Sequence, residues 1–371
     1  MHGLRSVGLA VVVLSVLLFA APEASAYTVE TQVTPGCHER ITADALRKVR
    51  DALPSAKPLG FTRSDDDALA KDLPFKVPDD LYDLGGISLL VGVRDNDLKG
   101  VPATSLDELV DITSEDAGQR EHCLRSNEDT EPNGSKTAVD SCRAYILERL
   151  TSALDGLDAQ GIPDPNVRDS IEVALAVRSQ IHVDLQRFYL RIGMALHAIE
   201  DSYAHTWRDP DDPKKINVAL NWIAYSENRI DEGVTGPAHQ SEMDRCDDPD
   251  PLRTARRELA TEAAAEALMT ALDPSLTRDQ KIQGFQHVLD TYVTYDDGSN
   301  CNVGNGWCNA PERHYANGCG CSLPGQRRTN GNMALISICA GCMLFILRRK
   351  RVRVASALVV LALLFAPSSA R

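Results

Sequence analysis

Apolar positions recur at helical spacing through most of the chain. In "HERITADALRKVRDAL", Ile41, Ala45, Leu46, Val49 and Leu53 fall on one face, as an amphipathic helix requires. The same period predicts helices over 137–160, 214–228, 251–272 and 277–293, with Gly161-Ile162-Pro163 as the stop after the first. Residues 165–207 read as one long helix or two in series. Shorter apolar pieces at 64–73 and 84–93 lie in loop-rich sequence. Acidic, proline-rich turns such as "RDPDDP" and "DDPDP" separate the elements. No run alternates convincingly enough to predict a strand. The expected fold class is therefore all-α: a multi-helix bundle forming one domain over 27–295. Residues 296–330, rich in Asn, Gly and Cys, read as a stalk.

Both ends carry targeting features. "MHGLRSVGLAVVVLSVLLFAAPEASA" has a basic start at Arg5, an apolar run from Val7 to Ala21 and an Ala24-Ser25-Ala26 exit. That is the pattern of a secretory signal peptide, with cleavage expected before Tyr27. The apolar run is short for an uncleaved membrane anchor. Near the other end, "NGCGCSLPG" is followed by the apolar run "MALISICAGCMLFIL" (333–347) and then by "RRKRVR" (348–353). Cys motif, short membrane segment and Arg cluster in that order resemble the MYXO-CTERM sorting tail of bacterial surface proteins. The resemblance implies delivery to the cell surface, outer membrane or medium, with membrane association through the tail and processing near the Cys motif. A further apolar run, "VASALVVLALLFAPSSA", follows the Arg cluster where that family normally ends.

Setting both ends aside changes the charge. Residues 27–318 hold 30 bases and 52 acids, a net of −22. Such a surface repels nucleic acid at long range, and no nucleic-acid partner is expected. It suits a protein that collects divalent cations. Ten cysteines are present, and four of them, Cys319, Cys321, Cys339 and Cys342, belong to the tail. The remaining six are Cys37, Cys123, Cys142, Cys246, Cys301 and Cys308. An even number in an exported domain favours disulfides. Six cysteines allow 15 pairings. Cys123–Cys142 and Cys301–Cys308 would each close a polar loop, which leaves Cys37–Cys246 by default. No CxxC pair occurs within the domain, so a cysteine-rich zinc site is not expected.

The chemistry concentrates in "GMALHAIEDSYAHT" (193–206). His197, Asp201 and His205 are spaced i, i+4, i+8, and residues four apart lie one above the other on a helix. Imidazole and carboxylate are ligands that zinc takes. Apolar neighbours at Ala195, Leu196, Ala198 and Ile199 turn the stripe toward an interior or cleft. The same spacing also suits a hydrogen-bonded His/Asp pair in a core, so the motif alone leaves both readings open. Glu200 reads as a solvated or supporting acid, and His182 and His287 as structural.

The set resembles the zinc-dependent phospholipase C and single-strand nuclease superfamily, all-helical secreted phosphoesterases with a three-zinc site. The short form "ALHAIEDSYAH" is similar to its Het-C-type branch. The resemblance implies His197, Asp201 and His205 as ligands on one helix, with Asp201 as the bridging carboxylate. It implies further ligands in the main-chain atoms of Tyr27 as first mature residue and in His38 of "GCHERIT". In "LLVGVRDNDLKG" it points to Asp97 in a turn, with Asp95 as rival, and in "QREHCLR" to His122. In "GPAHQSEMDRC" it points to His239 with Glu242, and Asp244 as rival. Asp97 takes the catalytic role of orienting or deprotonating the attacking water. The implied function is hydrolysis of a phosphoester, most often a phospholipid head group, with up to three Zn2+. A nuclease or other phosphodiesterase is the alternative, as is a non-catalytic, metal-stabilised surface protein.

Overall fold

The computed structural model describes residues 36–175, 179–222, 231–246 and 250–313. The signal segment, Tyr27, the eight residues from 223 to 230 and the tail lie outside the described residues. Among those described, no helix is long and apolar enough to cross a membrane.

The helices are α1 (Cys37–Ala52), α2 (Asp66–Lys71), α3 (Leu84–Leu98), α4 (Leu106–Ser114), α5 (Asp116–Glu121), α6 (Gly134–Ala153), α7 (Arg187–Ala204), α8 (Glu232–Thr235), α9 (Pro251–Leu272) and α10 (Arg278–Tyr292). Several starts follow from local chemistry. Asp83 accepts from the Gly85 and Gly86 amides at the head of α3. Asp250 caps α9 ahead of Pro251, and Thr277 with Gln280 forms a reciprocal capping box on α10.

The fold is mixed rather than all-α. Strands β1 (Arg168–Leu175) and β2 (Ser179–Gln186) form an antiparallel ribbon, registered from Arg168 opposite Gln186 to Leu175 opposite Ser179. A second sheet has the order β3 (Thr206–Arg208), β4 (Lys215–Ala219), β5 (Thr294–Tyr295), antiparallel then parallel. Two expected helices are thus corrected: 168–186 is a ribbon ahead of α7, and the start of 214–228 is β4. The cause is a degeneracy of period. Ile171 and Leu175, Ile181 and Leu185, and Ile216 and Leu220 are each four residues apart. A spacing of four fits a helical stripe and also one face of a strand, whose period is two. Ile171-Val173-Leu175 and Ile181-Val183-Leu185 complete the alternation, and their β-branched members fit a pleated surface.

Helix α7 is the centre of the molecule. Every residue from Ile192 to Ala204 is buried, including His197, Glu200, Asp201 and Ser202. A helix apolar on nearly all sides has to be packed on all sides, and α1, α3, α6 and α9 supply that packing. The approach of α3 is close enough to bring the two backbones together. A Cβ added at Gly92 would run into the Leu190 carbonyl, and one at Gly193 into the Leu89 carbonyl. Only glycine permits that crossing.

Three disulfides join Cys37–Cys246, Cys123–Cys142 and Cys301–Cys308. The stretch expected as a stalk is, as far as residue 313, folded onto the domain. Trp307 and Glu312 are fully buried. Trp207, Val218, Leu220, Cys301, Trp307 and Ala310 form a second, smaller apolar cluster over the sheet.

Candidate metal centre

Four separate segments converge on α7. His38 comes from the first turn of α1, Asp97 from the last turn of α3, and His122 from the end of α5. His239, Met243 and Asp244 come from the loop and 3-10 turn Ser241–Asp244. Asp97 therefore lies in a helix rather than in the expected turn. The helix ends just beyond it, with Lys99 in the left-handed region at φ 45°.

The distances define a continuous constellation. His38 Nε2 lies 3.2 Å from Asp201 Oδ1, and His197 Nε2 lies 2.9 Å from Asp201 Oδ2. Asp97 Oδ1 is 3.0 Å from His122 Nε2 and 3.8 Å from His197 Nε2. Beyond Asp201, His205 Nε2 is 3.4 Å from Asp244 Oδ1 and His239 Nε2 is 3.2 Å from Asp244 Oδ2. Three sets of ligand atoms each fall within 4.8 Å of one another: His38, Asp97 and His197; His122, His197 and Asp201; His205, His239 and Asp244. These buried His/Asp groups can hold metal ions.

The hydrogen bonds show which way the rings face. His122 Nδ1 donates to the Gly118 carbonyl at 2.7 Å, His197 Nδ1 to Val93 at 2.7 Å, and His205 Nδ1 to His122 at 2.6 Å. His38 Nδ1 lies 2.7 Å from Glu200 Oε2. Each bond fixes the outer nitrogen as N–H and leaves the Nε2 lone pair turned into the constellation, which is how protein metal ligands are oriented. His197 Nε2, His205 Nε2, Asp97 Oδ2, Asp244 Oδ2 and both Asp201 oxygens make no hydrogen bond among the described residues. Buried polar atoms left so cost free energy. Inward imidazole nitrogens and carboxylate oxygens are the donor set zinc takes, so the residues fit the metal that the sequence reading implied.

The electrostatics are perturbed in both directions. Burial opposes charge on His38, but Asp201 and Glu200 outweigh it and hold the imidazole well above its usual value. Burial also works against charge on Asp201, yet His205, His197 and His38 keep its carboxyl well below the ordinary range. For Asp97 burial is likewise outweighed, chiefly by His197 and His122, and the carboxyl is lowered. Burial pushes Asp244 up to about 8 and His239 down to about 4. His197 is lowered by burial and by the neighbouring His38. Shifts of both signs in one buried cluster make these residues a candidate functional site.

Of the residues predicted from sequence, His38, Asp97, His122, His197, Asp201, His205 and His239 come together. Glu242 does not. It is half-buried, its carboxylate lies 3.5 Å from the Ser241 hydroxyl, and Asp244 takes its place. His239 lies in extended chain ahead of the 3-10 turn Ser241–Asp244 rather than in one helix with the acid, so the helical i+3 spacing does not apply and Asp244, at the end of the turn, meets the ring. Asp95 is also outside the set, on the side of α3 where Lys99 lies 3.8 Å away. Tyr27 lies outside the described residues. His182 and His287 are exposed, away from the centre. Glu200, expected as a solvated or supporting acid, is fully buried and bonded to His38. Its signal in the sequence was weak, an acid beside an acid. Trp222 packs edge-on against His239 with ring centroids 5.0 Å apart.

No protein-family model, curated protein or solved structure matches the chain.

Proposed function

We propose that the protein is an exported zinc-dependent phosphoester hydrolase of the phospholipase C kind, acting at or outside the cell surface. The observation that carries the reading is the set of anchored rings: four histidines held at Nδ1, with Nε2 directed at the carboxylates of Asp97, Asp201 and Asp244. Asp97, His122, His197 and Asp201 would hold one zinc, and His205, His239 and Asp244 a second. His38 faces Asp201 at 3.2 Å on the far side and would take part in a third. When bound, zinc supplies Lewis acidity for a phosphoryl oxygen and lowers the pKa of water toward ~7.

The chain's own residues do the rest. Asp201 places one oxygen toward His38 and the other toward His197, the arrangement a bridging carboxylate needs. The Asp97 side chain is 13% exposed, the most accessible of the three carboxylates. Its Oδ1 faces His122 Nε2 at 3.0 Å, and its Oδ2 is itself buried and makes no hydrogen bond among the described residues. That oxygen is the group we assign to orient the attacking water and take its proton. The net charge of −22 favours a small phosphoester or lipid head group over nucleic acid as substrate.

One observation favours a second reading, a metal-stabilised protein without catalysis. The histidines are 0–3% exposed, whereas catalytic zinc keeps an open position. Zinc content of the purified protein and of His197→Ala, together with hydrolysis of bis-p-nitrophenyl phosphate and phosphatidylcholine, separates these. Two to three zincs with hydrolysis, both reduced in the variant, support the enzyme. Zinc without hydrolysis of any phosphoester leaves the scaffold, and no zinc at all sinks both.

A further inference from the structure

The histidines of the centre are not anchored alike. His122, His197 and His205 donate to main-chain carbonyls. These partners are neutral and set by the helices. His38 instead faces an ionisable side chain, with Nδ1 2.7 Å from Glu200 Oε2. The other Glu200 oxygen accepts from the Thr42 hydroxyl at 2.6 Å. His38, Thr42 and Glu200 are all 0% exposed. Thr42 stands one turn after His38 on α1, and Glu200 directly precedes Asp201 on α7. Both oxygens of Glu200 are therefore engaged on the outer side of the constellation, and it is absent from the ligand sets.

We propose that Glu200 is a positioning residue that tunes one metal subsite selectively, the one that includes His38. A carboxylate accepts only, so it holds His38 as the Nδ1–H tautomer with Nε2 facing Asp201. A carboxylate behind an imidazole also makes the ring a more basic ligand than a carbonyl does. Thr42 fixes the carboxylate in turn, by donating to the oxygen that His38 does not use. The proposal rests on the reading of the constellation as a zinc centre.

The test is stepwise zinc affinity of the full chain, measured against a competing chromophoric chelator, for wild type, Glu200→Gln and Thr42→Val. Glutamine keeps the size and can accept from His38 through its carbonyl oxygen, but it brings no charge. One zinc should bind roughly 10–100-fold more weakly in Glu200→Gln, with the other affinities unchanged. Thr42→Val should weaken the same zinc by less. With Co2+ in place of zinc, only one component of the visible spectrum should shift. If wild type binds its zincs and all affinities in both variants stay within twofold of it, the inference is overturned while the metal reading stands. If Glu200→Gln weakens every zinc equally and also lowers the melting temperature of the metal-free protein, Glu200 is a strut between α1 and α7 and the inference again fails. If Glu200→Gln does not fold, Thr42→Val decides by the same criterion. If wild type binds no zinc, both readings fall.

Discussion

Glu312 offers a direct test of where the folded unit ends. Composition marks residues 296–330 as a stalk, yet the Glu312 carboxylate is 0% exposed. It accepts from the Arg256 guanidinium, which is 2% exposed, and from the Arg208 amide at 3.3 Å. Arg256 reaches the Pro213 carbonyl as well. Arg208 ties the same corner to α7, donating to the Ser202 hydroxyl at 2.7 Å and stacking 3.7 Å over the Tyr203 ring. Glu312→Ala leaves the Arg256 charge buried without its carboxylate. Breaking a buried pair from one side costs about 3–5 kcal/mol, most of it the stranded charge. For a domain of about 300 residues, at ~2.1 cal/mol/K of unfolding entropy per residue, that lowers the melting temperature by roughly 5–8 °C. Thermal denaturation followed by circular dichroism, with chelator present so that release of any bound metal does not contribute, reads the loss. The double variant Glu312→Leu with Arg256→Met removes both charges and should recover most of it. A loss below about 1 kcal/mol for Glu312→Ala, in the range of an exposed pair, would refute the reasoning and return 296–313 to the status of a detachable stalk.

Three further outcomes are expected. Asp244→Asn should lose one zinc by metal analysis while Glu242→Gln keeps the wild-type content; the reverse pattern would reinstate Glu242 as ligand. Replacing Cys37 and Cys246 by alanine opens a link spanning 209 residues, which chain entropy values at about 5 kcal/mol as an upper figure. Because these cysteines flank His38 and follow Asp244 by two residues, zinc should also bind more weakly, and unchanged zinc affinity would show that the disulfide does not brace the centre. Lys281 is 1% exposed, and burial pulls its ammonium down to about 8. The folded value lies below the unfolded one of about 10.4, so between them the unfolded chain binds the extra proton and stability rises with pH. Urea unfolding should show that rise between about pH 8 and pH 10 in wild type, and Lys281→Met should lack it; parallel curves would exclude Lys281 as the source.

The sequence carried more of the site than of the fold, for a physical reason. Ligand spacing on α7 is read directly, because helix geometry turns four residues into one turn whatever the rest of the chain does. His38 and His122 were singled out through the resemblance, since neither has a partner at helical spacing in its own segment. What failed was the distinction between periods. Ile216 and Leu220 satisfy a helix and a strand equally, and only the partners β3 and β5, distant in sequence, decide for the strand. Glu242 was expected from helical spacing, but His239 sits in extended chain before the turn Ser241–Asp244, and Asp244, two residues further on, is the acid that meets the ring. Glu312 was hidden differently: Asn, Gly and Cys signal loops, and a loop clamped by one buried ion pair has the composition of a free one.

The geometry of α7 also accounts for a stripe of three ligands on a buried helix. Each step of four residues overshoots a full turn by about 40°, so His197, Asp201 and His205 fan across the helix instead of lying in line. His197 turns toward Asp97 on α3, and His205 toward Asp244. Asp201, between them, is reached from both sides, with His197 Nε2 at 2.9 Å and His205 Nδ1 at 3.7 Å from the same oxygen. The outer members of the stripe thus face different partners, and the central carboxylate is approached from both sides. His205 adds a constraint of its own: it is the C-cap of α7, and its Nδ1 donates to the carbonyl of His122, itself in the set. The His205 amide still bonds to the Asp201 carbonyl at 2.8 Å, so the ring keeps its place on the helical turn, and the strand that follows is held by Arg208 and Glu312.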